Sequence, residues 1–545
     1  MRLTVLYRLV LAALAALPAS AQTDAYRAAG PVSRPVQTTA PRADGPGPRF
    51  SDMRAVLPGP QHVYGGGWEH FVGGGVAVFD CDGDARPDLL AAGGAEPTTA
   101  YRNVTPPGGE LAFATLAIAP LDGVTGITGA YPLDIDSDGA MDLFVLRAGP
   151  NMALRGDGAC GFRDATADWG IAPGNAWSTA FTATWEPGAD WPTLAIGNYV
   201  NRDDPDGPFE ACDDNVLLRP VGSGYAGPVA LSPGFCALSA LFSDWSRQGR
   251  ADLRLSNDRH YYVRGGSEQM WRLSPLRLLG PQDGWRPISI WGMGIASRDL
   301  NNDGRPDVML TSMGDQLLQY ATDTAGYVDA PWGTGSHATR PHVGDDGRPS
   351  TGWHAQFGDV DNDGLADLFI AKGNVDQMPD NAMRDPNNLL MGRPDGTFAE
   401  ASVAAGIAST DRARGAALAD LDGDGRLDLV VVNRRAPLEL WRNVTPDTGA
   451  WLALTPRQAG PNTHAVGAWI EARRPDGTVA VQERTVGGGH AGGQAGPLHF
   501  GLGAADRAEI RITWPDGAVS DWLSLPARQA VTLWRDGARL AARSD

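Results

Sequence analysis

Lysine is almost absent from this sequence: Lys372 is the only one among 545 residues. Arginine supplies nearly all of the basic charge, and the 64 acidic residues outnumber the 45 basic ones, which gives a formal net charge of -19 at pH 7. Such an acidic chain repels polyanions. The charge balance therefore excludes nucleic acid and anionic membrane surfaces as expected partners.

Long apolar runs are also missing. No stretch approaches the roughly 20 consecutive apolar residues that a membrane span requires. The short apolar run at residues 9–17 follows Arg2 and Arg8 and precedes a small-residue site that ends at Ala21, which is typical of a secretory signal peptide. We therefore predict a signal peptide at residues 1–21 with cleavage near Ala21, and a secreted protein, extracellular or periplasmic, without membrane insertion.

Cysteine is scarce, with four copies in the chain. In an exported protein four cysteines favour two disulfides, and four buried thiols are the alternative. Cys212 and Cys236 flank a long excursion, so we predict that they pair. Cys81 and Cys160 then form the second bridge, which would tie the first repeat unit to the second.

Aspartate, in contrast, recurs in a nine-residue pattern. In Asp420-Leu-Asp422-Gly-Asp424-Gly-Arg-Leu-Asp428, carboxylates occupy positions 1, 3, 5 and 9 and glycine occupies position 6. Alternate residues of a tight turn point inward, and calcium takes about six to eight oxygen ligands. An EF-hand is excluded because it needs a glutamate at position 12, where this chain has Val431. An apolar, β-branched run follows position 9, so the pattern predicts a calcium loop between two strands.

Five intact copies predict about five bound Ca²⁺ ions. The predicted ligands, loop by loop, are Asp80, Asp82, Asp84 and Asp88; Asp134, Asp136, Asp138 and Asp142; Asp299, Asn301, Asp303 and Asp307; Asp359, Asp361, Asp363 and Asp367; and Asp420, Asp422, Asp424 and Asp428. A depleted copy runs from Asp244 to Asp252, and a copy without ligands is expected near residue 189. The repeat period is roughly 55–60 residues, which gives seven units.

The seven units predict an all-β chain folded as a seven-bladed β-propeller at residues 61–449, because radial closure avoids open sheet edges. Residues 22–60 are rich in Pro, Ala and Thr, and we predict a flexible lead-in. After residue 449 the period stops, and residues 450–545 predict a small β-sandwich-like domain. The glycine-rich segment at residues 487–494 lacks the Lys-Ser/Thr of a phosphate loop, and we interpret it as a surface turn.

These motifs resemble known families. The loops look like FG-GAP (VCBS-type) repeats, the calcium loops of integrin α-chain propellers. The tail motifs Leu498-His-Phe-Gly-Leu-Gly503 and Trp514-Pro-Asp-Gly517 resemble the ASPIC/UnbV domain. Repeats followed by this tail are similar to the cartilage acidic protein family, which consists of secreted calcium-binding propellers. The resemblance implies a binding or adhesion protein without catalysis, with the aspartates and Asn301 of the five loops as ligands.

The sequence departs from the family pattern in three repeats. The third has no ligands, the fourth is depleted, and the first has Ala85 where glycine is usual. The departures make calcium doubtful in units 3 and 4, and they predict a strained loop in unit 1.

We predict no catalytic residues, because the chain has neither Gly-x-Ser-x-Gly nor His-Glu-x-x-His. Three functions remain open. The first is a monomeric calcium-stabilised module that binds an unknown extracellular protein or glycan. The second is an enzyme acting on extracellular polysaccharide, and the third is a purely structural surface protein in which calcium stiffens the blades.

Overall fold

The computed structural model describes residues 47–544 except 107–108, 205–210, 259–264, 345–346 and 377. The predicted signal peptide and the predicted lead-in as far as residue 46 lie outside the described residues. Within the described part of the chain, 36 strands form nine four-stranded sheets. No helix in that part is long and apolar enough to cross a membrane.

Seven of the sheets are antiparallel meanders that follow one another along the chain. Their strands, preceded by β1 (Phe50–Asp52), are β2 (Val76–Phe79), β3 (Asp88–Ala91), β4 (Thr99–Asn103) and β5 (Phe113–Leu116); β6 (Ile127–Leu133), β7 (Asp142–Arg147), β8 (Met152–Gly156) and β9 (Phe162–Asp164); β10 (Ser178–Thr184), β11 (Thr193–Asn198), β12 (Asn215–Leu218) and β13 (Val229–Leu231); β14 (Ala237–Ser243), β15 (Asp252–Asn257), β16 (Gln269–Arg272) and β17 (Arg277–Leu278); β18 (Gly292–Arg298), β19 (Asp307–Ser312), β20 (Leu317–Ala321) and β21 (Tyr327–Asp329); β22 (Gly352–Gly358), β23 (Asp367–Lys372), β24 (Asn388–Gly392) and β25 (Phe398–Glu400); and β26 (Arg412–Ala419), β27 (Asp428–Arg434) and β28 (Glu439–Asn443).

The seven sheets close into a ring. Each sheet contacts the next through its first strand, from β2 and β6 round to β22 and β26, and β26 contacts β2 again. The first strands therefore line a central channel, and the prediction of a seven-bladed β-propeller is confirmed. Buried apolar residues of neighbouring sheets pack together between the blades, as in the cluster that joins Phe144 of blade 2 to Phe181 of blade 3.

Strand β1 completes the seventh blade. It pairs antiparallel with β28, with Phe50 opposite Asn443, and is the outermost strand of the sheet β1-β28-β27-β26. The prediction that residues 22–60 form a flexible lead-in is therefore wrong for this strand. The reason is that the chain leaves the ring after β28 for another sheet, so the open edge of blade 7 is covered by the N-terminal side of the chain.

Both predicted disulfides are formed. Cys81 is bonded to Cys160, which links the loop of blade 1 to blade 2, and Cys212 is bonded to Cys236, which links blade 3 to blade 4. Helical structure is short: the described residues contain one α-helical turn, α1 (Ser402–Ala405), and 3₁₀ turns at Arg54–Val56, Trp68–His70, Ala119–Leu121, Pro281–Asp283 and Trp332–Thr334.

The C-terminal region is a β-sandwich. Its strands are β29 (Ala450–Arg457), β30 (Trp469–Arg473), β31 (Val479–Glu483), β32 (Leu498–Gly503), β33 (Arg507–Thr513), β34 (Leu523–Pro526), β35 (Gln529–Asp536) and β36 (Arg539–Ser544). They form two sheets, β32-β29-β35-β36 and β31-β30-β33-β34. One buried core joins the sheets, with Leu452 and Phe500 from the first and Ile470 and Ile512 from the second.

The segment between β31 and β32 lies inside the propeller channel. Residues 486–494, here named the channel segment, form bridges with the first strands of blades 1 to 5. Its buried His490 accepts a hydrogen bond at Nε2 from the Gly73 backbone (3.2 Å) and donates from Nδ1 to the Met293 carbonyl (3.0 Å). The interpretation of this glycine-rich stretch as a surface turn is therefore wrong.

Close backbone packing explains why the channel segment is rich in glycine. A Cβ on Gly492 would lie 2.2 Å from the Val76 carbonyl oxygen, and a Cβ on Gly489 would lie 2.4 Å from the His354 ring. Only glycine allows such an approach. The partners of these glycines are far away in sequence, so the local pattern alone suggested a turn.

Candidate calcium loops

The same hydrogen bonds shape six of the seven strand-connecting loops. In each, Oδ2 of the position-1 aspartate accepts the backbone N–H of position 6 at 2.7–3.0 Å. Position 6 has a left-handed backbone, with φ between +64° and +94°. The residue there is glycine in five loops and Ala85 in blade 1, where φ is +64°. A side chain in this region is strained, so the predicted strain in blade 1 is confirmed.

The aspartate at position 9 holds the loop to the third strand of its blade. In all five intact loops Oδ2 accepts the N–H of position 2 at 2.8–3.0 Å. Oδ1 accepts the N–H of the last residue of the third strand at 2.8–2.9 Å. This carboxylate is buried in each loop. Position 9 therefore ties position 2 of each loop to the end of the blade's third strand.

Four loops bring three predicted ligands together. In each, one carboxylate oxygen from positions 1, 3 and 9 lies within 4.8 Å of the others; the groups are Asp80, Asp82 and Asp88; Asp134, Asp136 and Asp142; Asp359, Asp361 and Asp367; and Asp420, Asp422 and Asp428. Blade 5 has Asn301 at position 3, so its Asp299 and Asp307 have only an amide oxygen as the third donor. Oxygen donors clustered in this way suit a hard divalent cation.

Position 5 is arranged differently. Its Oδ1 accepts the N–H of position 7 at 2.8–3.0 Å in every intact loop, which forms an Asx turn. In four loops the same carboxylate forms an ion pair with an arginine; these pairs are Asp84 with Arg86, Asp138 with Arg155, Asp303 with Arg305, and Asp424 with Arg426. The structure therefore does not bring Asp84, Asp138, Asp363 or Asp424 into the three-carboxylate groups.

Arginines also stand opposite position 9 on the third strand. Arg155 Nε lies 2.8 Å from Asp136, and Arg442 Nη2 lies 2.6 Å from Asp422. Arg102 pairs with Asp82 in the same way. These cations offset part of the negative charge at position 3.

Blades 3 and 4 replace the ligands with other contacts. In blade 3 Arg219 Nε lies 2.7 Å from Glu186. In blade 4 Asp252 Oδ2 accepts hydrogen bonds from Trp245 Nε1 (2.9 Å) and from Arg272 (3.4 Å). Among the described residues neither loop has a group of three candidate ligands. Arginine side chains therefore contact Glu186 and Asp252 in these two loops.

Burial and mutual repulsion perturb the loop carboxylates. Burial, reinforced by neighbouring aspartates, raises the pKa of Asp88, Asp307 and Asp420 to about 7 each and that of Asp142 to about 8, from an ordinary value of 3.8. Backbone hydrogen bonds oppose the shift without cancelling it. The pKa of Asp367 is raised well above its ordinary value for the same reasons. The loops therefore concentrate negative charge that needs either protons or a cation.

Blade 2 shows most directly that a cation fits. Asp134 is 2% exposed, yet its Oδ1 accepts no hydrogen bond from any residue that the structure describes, and Oδ1 of Asp136 is likewise buried and unpaired. A buried acceptor without a partner is costly. Both residues belong to the three-carboxylate group with Asp142. Oxygen ligands alone, without nitrogen or sulfur, favour calcium over zinc or copper.

An asparagine that follows the third strand's arginine joins neighbouring blades. Asn443 Nδ2 donates to the carbonyls of Val360 (2.8 Å), in the loop of blade 6, and Leu427 (3.2 Å). Asn103 makes the equivalent bond to the Leu421 carbonyl of blade 7 (2.7 Å). This role was not predicted from the sequence, although an aromatic-Arg-Asn triplet recurs at residues 101–103 and 441–443.

Comparison with known families agrees with this architecture. The protein-family model for the FG-GAP-like repeat matches residues 80–145, 299–370 and 359–431. The family model for ASPIC and UnbV matches residues 458–540. The chain thus joins FG-GAP-like repeats to an ASPIC and UnbV domain, as the sequence motifs predicted.

Among curated proteins, the chain is similar to cartilage acidic protein 1 of Homo sapiens, with 25% identity over 230 residues. That match covers 42% of this chain and 33% of the human protein, so it spans about a third of the relative's length. Among solved structures, it is similar to BBS1N in complex with ARL6DN (TM-score 0.42, 10% identity, 74% of this chain and 99% of that chain). It is also similar to an N-acetylglucosamine-recognising lectin of Agrocybe aegerita (TM-score 0.39, 14% identity, 68% and 94%).

Proposed function

We propose that this protein is a secreted binding module whose propeller is stabilised by calcium ions in the loops of blades 1, 2, 5, 6 and 7. The observation that carries the proposal is the buried, unpaired oxygen pair of Asp134 and Asp136 beside Asp142. A divalent cation there would satisfy both oxygens and offset the repulsion between the carboxylates. The carboxylates at positions 1, 3 and 9, together with Asn301, would hold the ions.

Secretion and binding are supported by separate features. Two disulfides are typical of an oxidising compartment outside the cytoplasm. Similarity to cartilage acidic protein 1 and the FG-GAP-like repeats support an extracellular protein or glycan as the partner. Carboxylates that ligate calcium are poor general acids or bases, which supports a binding role over glycoside hydrolysis.

The calcium part is tested by unfolding measurements on single-loop variants. Extracellular calcium sites have dissociation constants of about 0.1–1 mM, so 1 mM calcium adds about 1.4 kcal/mol for each site of 0.1 mM affinity. We expect Asp422→Ala to lose one ion and that increment, and to keep its fold because the substitution lies in a loop and leaves the strand pairing of blade 7 intact. The control is Asp521→Ala, at an exposed position of the C-terminal sandwich. Equal calcium-dependent stabilisation in both variants would contradict the proposal.

The binding part is tested with the labelled, calcium-loaded protein on an array of extracellular proteins and polysaccharides. We expect retention of at least one ligand class without release of shortened glycans. Turnover of a polysaccharide would show that the protein is an enzyme and would contradict the proposed binding function. If no ligand is retained, with or without a chelator, the proposed binding function is contradicted and a structural surface protein is favoured.

A further inference from the structure

The C-terminal sandwich lies directly on the calcium loops. In blade 2, Thr463 Oγ1 donates a hydrogen bond to Oδ2 of the position-1 ligand Asp134. The backbone N–H of Asn462 donates to Ser137 Oγ, at position 4 of the same loop, at 3.1 Å. A predicted ligand and its loop are therefore held by residues of the other domain.

Blades 6 and 7 make equally close contacts through backbone atoms. The N–H groups of Gly449 and Gly503 donate to the carbonyls of Asp361 (2.9 Å) and Asn362 (2.8 Å) in the loop of blade 6. His499 Nε2 donates to the Gly425 carbonyl in the loop of blade 7 at 3.1 Å. The sandwich can make these bonds only when both loops hold one particular backbone conformation.

Blade 4 makes its contact without any need for an ion. Arg247, at position 4 of the depleted loop, donates to Glu471 Oε1 at 2.8 Å. Glu483 accepts the backbone N–H of Asp244 (2.7 Å) and the hydroxyl of Ser243 (2.6 Å). In blade 4 the Arg247 side chain therefore holds the sandwich on a loop that has no cluster of carboxylates.

The channel segment belongs to the same docked unit. It runs from β31, whose Glu483 contacts blade 4, to β32, whose His499 contacts blade 7. Inside the channel, the backbone N–H groups of Gly488, Gly489 and Gly493 donate to the first strands of blades 4, 5 and 2 at 2.8, 2.6 and 3.2 Å. The channel segment connects β31 to β32, which are both strands of the sandwich. We therefore expect the channel segment to leave the channel when the sandwich separates from the loops.

We propose that calcium binding in the loops of blades 2, 6 and 7 is coupled to docking of the C-terminal sandwich, so that the ions hold the channel segment inside the propeller. The inference rests on the proposed calcium binding. Without an ion, the carboxylates of each loop repel one another, and the loop loses the fixed backbone that the sandwich contacts. Coupling between two binding events is reciprocal, so docking strengthens calcium binding by the same factor.

Blade 1 provides an internal control. Its loop, Asp80 to Asp88, has the same ligand arrangement as that of blade 2. Among the described residues, however, no hydrogen bond or ion pair joins it to residues 450–544. Asp136→Ala in blade 2 and Asp82→Ala in blade 1 therefore remove equivalent ligands with different consequences for docking.

Hydrogen–deuterium exchange of the full-length protein tests the coupling. The reporter is the peptide containing residues 486–494, and bound calcium is counted in the same samples. In calcium we expect protection of this peptide, and removing calcium should speed its exchange about tenfold, within the range typical of coupled sites. Asp136→Ala should reproduce the increase in calcium buffer, whereas Asp82→Ala should not, although each variant loses one ion. The first strands of the blades report whether either variant unfolds.

A second variant leaves every predicted ligand intact. Thr463→Val removes the hydroxyl that contacts Asp134, and Ser524→Ala, at an exposed position of β34 in the same domain, is the control. We expect Thr463→Val alone to weaken one calcium site about tenfold and to speed exchange of the channel segment. Calcium binding without any effect on the channel segment would overturn the coupling and leave the proposed function intact. No bound calcium in the parent protein would overturn both.

Discussion

Removing calcium should make the stability of this protein depend on pH in an unusual direction. Three buried carboxyls, in blades 1, 2 and 5, and the part-buried Asp420 of blade 7 have a native pKa of about 7 or 8 in place of the ordinary 3.8. Between pH 4 and pH 7 the metal-free native state therefore binds more protons than the unfolded chain. Stability must then fall as the pH rises through this window.

The size of the effect follows from the pKa values. A carboxyl with a pKa of 3.8 in the unfolded chain and about 7 in the native protein lowers the free energy of unfolding by about 2–3 kcal/mol between pH 5 and pH 7.5. The four groups lie in different blades, so their effects add to the order of 10 kcal/mol. That loss is comparable to the whole stability of a typical domain, about 5–15 kcal/mol.

Urea unfolding at pH 5, 6, 7 and 8 tests this prediction on protein stripped of metal by chelating resin. We expect the metal-free protein to be most stable near pH 5 and to lose several kcal/mol by pH 7.5. Calcium takes the place of the protons, so its stabilising effect should grow as the pH rises. Metal-free stability that is constant or increases from pH 5 to pH 7.5 would refute the assignment of these carboxyls as buried, mutually repelling groups.

Three substitutions test other parts of the structure by chemical unfolding. Asn443→Ala should destabilise the protein by about 1–3 kcal/mol, because it leaves the Val360 carbonyl of blade 6 without its hydrogen-bond donor. Ala85→Gly should stabilise it by about 0.5 kcal/mol, because relief of the left-handed strain outweighs the added chain entropy. Lys372→Ala should destabilise the protein by about 3–5 kcal/mol, because it leaves the buried Asp385 carboxylate without its ion-pair partner. Asp385 Oδ1 lies 3.0 Å from the lysine Nζ.

Each substitution has a matched control. Asn175→Ala, at an exposed asparagine, should change stability by less than about 0.5 kcal/mol. Ala140→Gly, one position later in the blade 2 loop, has no left-handed strain to relieve and should destabilise by about 0.5–1 kcal/mol. Lys372→Met combined with Asp385→Leu should recover much of the loss of Lys372→Ala. Equal effects in a variant and its control would contradict the corresponding assignment.

The repeats made most of the fold predictable. Aspartates at a fixed spacing, each followed by an apolar run, located the loop between the first two strands in six blades, and the period placed the seventh, whose loop has no ligands. The disulfides followed because two of four cysteines flank one excursion. In each case the signal was local or recurred along the chain, so a single sequence was sufficient.

The rest depended on contacts between distant residues. Strand β1 is only three residues long, and its pairing with β28 depends on an edge that the sequence does not show. The glycines of the channel segment are required by strands up to about 400 residues away, such as Val76 for Gly492. Nor did the loop motif indicate that the sandwich would cover the loops, because Thr463 and Gly503 carry no signature of a docking residue.

The most direct test of the central claim is the calcium content of the purified protein after exhaustive dialysis into buffer with millimolar calcium, measured by elemental mass spectrometry. The loops of blades 1, 2, 5, 6 and 7 predict about five ions per chain, and Asp136→Ala predicts one fewer. A content indistinguishable from that of the dialysis buffer would contradict the account, because the buried oxygens of Asp134 and Asp136 would then have no cation to bind.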